Sequence, residues 1–115
     1  MGALTIWHNP RCSKSRETLA LLRGRGLAPE LRLYLQDPPD AQELRAALSA
    51  LGLPAAGLLR RREKRLRELG LGPDSPEPAL IAAMAENPIL IERPVVFSGA
   101  RAAIGRPPEA VLSIL

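Results

Sequence analysis

Apolar and polar positions along the chain change period several times, and each change marks an element. Ala3–Trp7 is a short apolar run, cut off by the polar, proline-bearing segment His8-Asn9-Pro10, and reads as a buried strand. From Ser13 to about Arg25 the period becomes helical. Ser15, Leu19 and Leu22 share one face, and Gly24 and Gly26 supply the stop. Residues 30–35, "ELRLYL", alternate polar and apolar and predict a second strand.

After the turn "QDPPD" the helical period returns over Ala41 to Leu51, with Asp40 as the expected N-cap. Pro54 opens a short helical piece through Leu58 and Leu59, which the run Arg60–Leu69 continues or restarts after a bend. "GPDSPEP" is a loop, followed by a helix from about Ala79 to Ala85. Val95–Phe97, an "SGA" turn and Arg101–Ile104 predict a β-hairpin. Glu109–Leu115 closes the chain as a short helix, with Pro107 and Pro108 at or before its start. The order β-α-β, several helices, then β-β-α predicts an α/β fold: a central mixed sheet of about four strands with a helical insertion between strands 2 and 3.

Length and composition narrow this picture without changing it. At 115 residues the chain is expected to be a single domain. With aromatics at only 3%, the core must be built from Leu, Ile, Val and Ala. The net charge is +4, and arginine supplies most of the positive charge, which suits a small oxyanion through its forked donors. No apolar stretch is long enough to span a bilayer, and no secretory signal opens the sequence. One cysteine forms no internal disulfide, so a reducing cytoplasm is the expected compartment. Size and the lack of an apolar interface stripe lead us to expect a monomer.

The candidate chemistry sits in "HNPRCSKSR", residues 8–16, which holds the chain's only histidine and only cysteine. A free cysteine is usually a buried, inert thiol. Here the predicted elements put Cys12 in the turn where a strand gives way to a helix, and helix N-termini favour anions. Such positions commonly lower a thiol pKa below its free value of about 8.5. Arg11, Lys14 and Arg16 add positive charge, His8 is placed to polarise or deprotonate the thiol, and the Ser13 or Ser15 hydroxyl to hydrogen-bond the thiolate. A C-x-x-C motif is absent because Ser15 stands where the second cysteine would be, so any adduct must be resolved by an outside thiol. The phosphatase pattern C-x5-R fails at Thr18, and neither a phosphate-binding glycine loop nor a zinc-ligand cluster is present. No metal and no bound cofactor is expected.

Two arginines precede prolines, Arg93-Pro94 and Arg106-Pro107, one on either side of the predicted hairpin. Pro94, at a strand start, is a candidate cis proline. The cluster "RRREKRLRE" from Arg60 to Glu68 reads as a wet helix face. No aromatic residue interleaves it, which argues against nucleic acid.

"TIWHNPRCSKSRETL", "LYLQDPP", "GLLRRREKRLRELGL", "NPILIERPVV" and "IGRPPEAVLSIL" together resemble the glutaredoxin-dependent arsenate reductase (ArsC) family of thioredoxin-like fold. The resemblance runs from about Leu4 to Leu115 and is similar above all to a branch of shorter members. It implies that Cys12 is the nucleophile that attacks arsenate, that His8 helps lower its pKa, and that Ser15 supports the thiolate. It further implies that Arg60, Arg93 and Arg106 hold the oxyanion, that Pro94 is the family's cis proline, and that Asn9 and Arg11 lie beside the site. The implied co-substrate is glutathione and the implied partner glutaredoxin. Two other readings stay open: a regulator binding RNA polymerase on the same fold, and a monothiol oxidoreductase acting on glutathione mixed disulfides.

Overall fold

The computed structural model describes residues 4–115, and Ala3, expected in the first strand, lies outside them. The chain forms two compact units: one from the residues up to Asp37 together with Arg93–Leu115, the other from Pro38–Glu92.

The first unit carries a four-stranded mixed sheet built from β1 (Leu4–Trp7), β2 (Glu30–Arg32), β3 (Val95–Ser98) and β4 (Arg101–Ile104). The strand order is β2-β1-β3-β4, with β1 parallel to β2 and the other two pairings antiparallel. The parallel pair is joined by helix α1 (Ser13–Gly24), as a parallel crossover requires. The β3–β4 turn has Gly99 at φ 60°, the left-handed conformation that the first position of a two-residue hairpin loop demands. Ile6, Leu19, Leu22, Val96, Val111 and Ile114 form the core of this unit. They bring one face of the sheet, the buried stripe of α1 and a 3₁₀ helix at Pro108–Ile114 together.

The alternating stretch 30–35 is strand only over Glu30–Arg32. Its partner β1 gives out at Trp7, and the last rung is the His8 N–H donating to the Arg32 carbonyl at 2.8 Å. Beyond it the Leu33 carbonyl accepts from the N–H groups of Gln36 and Asp37, closing a turn that buries Tyr34 and exposes Leu35. The last helix also differs from expectation, being 3₁₀ rather than α and beginning at Pro108.

The second unit is helical. Helix α2 (Ala41–Leu51) starts at Asp40, whose side chain accepts from the Glu43 N–H while the Glu43 carboxylate accepts from the Asp40 N–H. This capping box satisfies two donors that a helix start leaves free. Helix α3 (Ala55–Leu58) is tied to α5 (Glu77–Glu86) by the Glu77 carboxylate, which accepts the Ala55 N–H at 2.6 Å. The run from Arg60 restarts rather than continues: Leu59 is extended, bridges Ile91, and helix α4 covers only Lys64–Glu68. The pull of that bridge is apolar, since Leu59 and Ile91 are both buried.

Among the described residues, no helix is long and apolar enough to cross a membrane.

Candidate active site

The segment between β1 and α1 is held by one asparagine. The Asn9 N–H donates to Ser15 Oγ at 3.0 Å, its carbonyl accepts the Cys12 N–H at 3.0 Å, and its Oδ1 accepts the Arg11 N–H at 3.0 Å. Arg16 clamps the same loop from the helix, its Nη1 donating to the Pro10 carbonyl at 2.9 Å. Cys12 is thereby fixed as the N-cap of α1, with extended backbone at φ −95° and ψ 124°. Residues favoured at an N-cap turn an oxygen onto the helix N–H groups, but Cys12 makes no such bond. Its sulfur lies 3.7 Å from Nη2 of Arg106, and the residue is 7% exposed. The first turn of α1 holds no acidic side chain, so nothing there offsets the positive end of the helix.

Arg106 is itself aimed, its Nε donating to the Arg93 carbonyl at 2.9 Å. Both arginines precede cis prolines, Pro94 and Pro107, the second of which no sequence signal distinguished. The Arg93 side chain is half-buried, and its Nε and Nη1 are buried without a hydrogen-bond partner. Burying guanidinium donors unsatisfied is costly, which suits a group that awaits an acceptor.

His8 and Ser15 pair with each other, Nδ1 to Oγ at 2.7 Å, and both are buried. The expected contacts of either with Cys12 are not made: no hydrogen bond links the His8 ring or the Ser15 hydroxyl to the sulfur. Ser15 Oγ is engaged instead by the His8 ring and by the Asn9 N–H, which donates to it. Desolvation by burial, followed by the positive charges of Arg23 and Arg16, holds the imidazole pKa below its ordinary 6.5. A cleft of about 310 Å³ opens beside the same loop, between His8–Arg11 and the turn bearing Leu33, Leu35 and Gln36.

Arg60 belongs to the helical unit. Its guanidinium pairs with Glu63 at 2.7 Å and Glu92 at 3.7 Å, and its N–H donates to the Leu90 carbonyl. Among the described residues, no group of three or more His, Cys, Asp or Glu side chains could hold a metal ion.

A family model described as the ArsC family matches residues 7–114. The chain belongs to the ArsC family. It is 45% identical over 117 residues to an arsenate reductase of Neisseria meningitidis serogroup A, covering the whole of both chains. It is 54% identical over 112 residues to the uncharacterized protein YfgD of Escherichia coli K12, covering 96% of this chain and 94% of that one. An arsenate reductase from Vibrio cholerae superposes with a TM-score of 0.95 at 47% identity, covering 99% of this chain and 98% of that one. This ArsC-family likeness spans both units and carries the thioredoxin-like fold with it.

Proposed function

We propose that the protein is an arsenate reductase in which Cys12 is the nucleophile and an external thiol system completes the reduction. The observation that carries the reading is the Cys12 sulfur set at a helix start 3.7 Å from the Arg106 guanidinium. A cation there faces the oxyanion that the attack of the sulfur would bind to it. The unpartnered Nε and Nη1 of Arg93 supply further donors for arsenate oxygens. The family resemblance also assigns Arg60 to the oxyanion.

The Cys12 thiolate attacks arsenic(V), forming an S–As bond as one arsenate oxygen leaves as water. Glutathione adds to the same arsenic with loss of a second water. The glutaredoxin thiol then attacks the glutathione sulfur, forming a mixed disulfide and leaving two electrons on arsenic, now arsenic(III). Water cleaves the remaining S–As bond, releasing arsenite and restoring the thiol. Two outside thiols become one disulfide, consistent with a chain that has no second cysteine. The reducing cytoplasm supplies both thiols, and the protein works as a monomer without bound cofactor.

The test follows NADPH oxidation with arsenate, glutathione, glutaredoxin and glutathione reductase. The reading expects arsenate-dependent turnover that Cys12→Ser abolishes. No arsenate-dependent rate in the wild-type protein, or undiminished turnover in Cys12→Ser, overturns it.

A further inference from the structure

Among the described residues, His8, Ser15 and Thr18 are buried polar side chains, besides Trp7, Cys12 and Tyr34. His8 and Ser15 satisfy each other, while Thr18 has no part in the chemistry above. Its Oγ1 donates to the Lys14 carbonyl at 2.8 Å, one turn back along α1, and this fixes the side chain's rotamer. The face so presented meets Gly105. A Cβ on Gly105 would lie 2.5 Å from Thr18 Oγ1, 3.1 Å from Thr18 Cγ2 and 2.8 Å from Pro94 Cγ. Gly105 is not in the left-handed region, so lack of space and not backbone conformation demands a glycine there.

These contacts close a ring of residues. Helix α1 carries Cys12 at its cap and Thr18 in its second turn. Thr18 seats on Gly105, whose N–H donates to the Pro94 carbonyl at 3.0 Å. The next residue is Arg106, which returns to the Cys12 sulfur and to the Arg93 carbonyl. Close-packed interiors transmit displacement instead of absorbing it. The separation of α1 from the 105–106 segment therefore sets the separation of thiol and guanidinium.

We propose that Thr18 is a positioning residue: seated against Gly105 and Pro94, it sets the reach of Arg106 to Cys12. The proposal deepens the reading of Cys12 and Arg106 as reacting and oxyanion-holding groups, and rests on it. Misplacing a binding group by a fraction of an ångström to one ångström lowers activity by about 10- to 100-fold.

Thr18→Ala, Thr18→Ser, Gly105→Ala and the double variant Thr18→Ala/Gly105→Ala test it. Three readouts are taken: kcat and KM for arsenate, the rate of iodoacetamide alkylation of Cys12, and Tm. Thr18→Ala is expected to raise KM about 10-fold with kcat within about twofold, and to change the alkylation rate about threefold. Thr18→Ser, which keeps Oγ1 and its Lys14 bond, is expected to restore most of both. Gly105→Ala is expected to be worse than Thr18→Ala, and the double variant partly better than Gly105→Ala, because truncation at Thr18 removes the two Thr18 contacts of the new methyl and leaves the one with Pro94. A Thr18→Ala protein with lower Tm but unchanged KM and alkylation overturns the proposal, leaving Thr18 a packing residue only. If the wild-type protein turns over no arsenate, the functional reading fails by itself, and the alkylation series alone decides whether Thr18 positions Arg106 against Cys12.

Discussion

At the scale of single residues, His8 illustrates how burial redirects a group. Its folded-state pKa lies below 6.5, chiefly through desolvation, so the folded protein binds fewer protons than the unfolded chain just below that value. Stability is therefore unaffected by His8 above about pH 6.5 and declines as pH falls through 6.5 toward the folded pKa. Urea unfolding between pH 7.5 and 5 should show the wild-type protein losing stability relative to His8→Gln, which carries no titrating ring. Parallel curves for the two proteins would remove the imidazole from the account. Arg106 is the second residue whose removal speaks directly. Arg106→Gln keeps an amide donor but loses the charge beside Cys12 and the Nε bond to Arg93. Its KM for arsenate should rise by about 100-fold, in line with the loss of a charge-assisted hydrogen bond of about 3 kcal/mol.

At the scale of elements, α1 and α2 are capped in opposite ways, and the contrast carries function. Asp40 closes α2 through reciprocal hydrogen bonds with Glu43, and Gly52 ends it at φ 69° in the left-handed region. Asp40→Ala should cost about 1 kcal/mol in chemical denaturation while leaving the reaction of Cys12 with iodoacetamide unchanged. Helix α1 has no such cap, because the residue at its cap position is Cys12, whose side chain faces Arg106. The basic run after Pro54 shows the opposite influence. Its spacing fits a helix, yet Leu59 is extended and bridges Ile91, and the Arg60 N–H donates to the Leu90 carbonyl.

At the scale of the whole molecule, the sheet unit depends on residues from both ends of the sequence. Ile6, Leu19 and Leu22 come from the first part, and Val96, Val111 and Ile114 from the last. Leu22 is fully buried among them, and Leu22→Ala should destabilise the protein by about 3 kcal/mol, measured as a lower urea midpoint. The same assembly carries β1, α1, β3 and β4, so it also brings Cys12 to Arg106 across 94 positions of sequence.

What depends on neighbours along the chain was legible before any fold was known. Periodicity located α1, α2 and the hairpin. The break at His8-Asn9-Pro10 put Cys12 at a helix start. Local signals failed where a distant partner decides. The alternating 30–35 stretch stops being strand at Arg32 because β1 ends at Trp7, a limit set by another segment. His8 and Ser15 lie within reach of Cys12 in sequence, but Ser15 Oγ is engaged by the His8 ring and by the Asn9 N–H. No sequence signal paired Thr18 with Gly105, and only the fold shows that a Cβ on Gly105 would meet the Thr18 side chain. Hydrophobic period and turn chemistry are local quantities, legible in a one-dimensional string. Steric fit and the satisfaction of buried donors depend on which segments meet, and that was decided only when the chain folded.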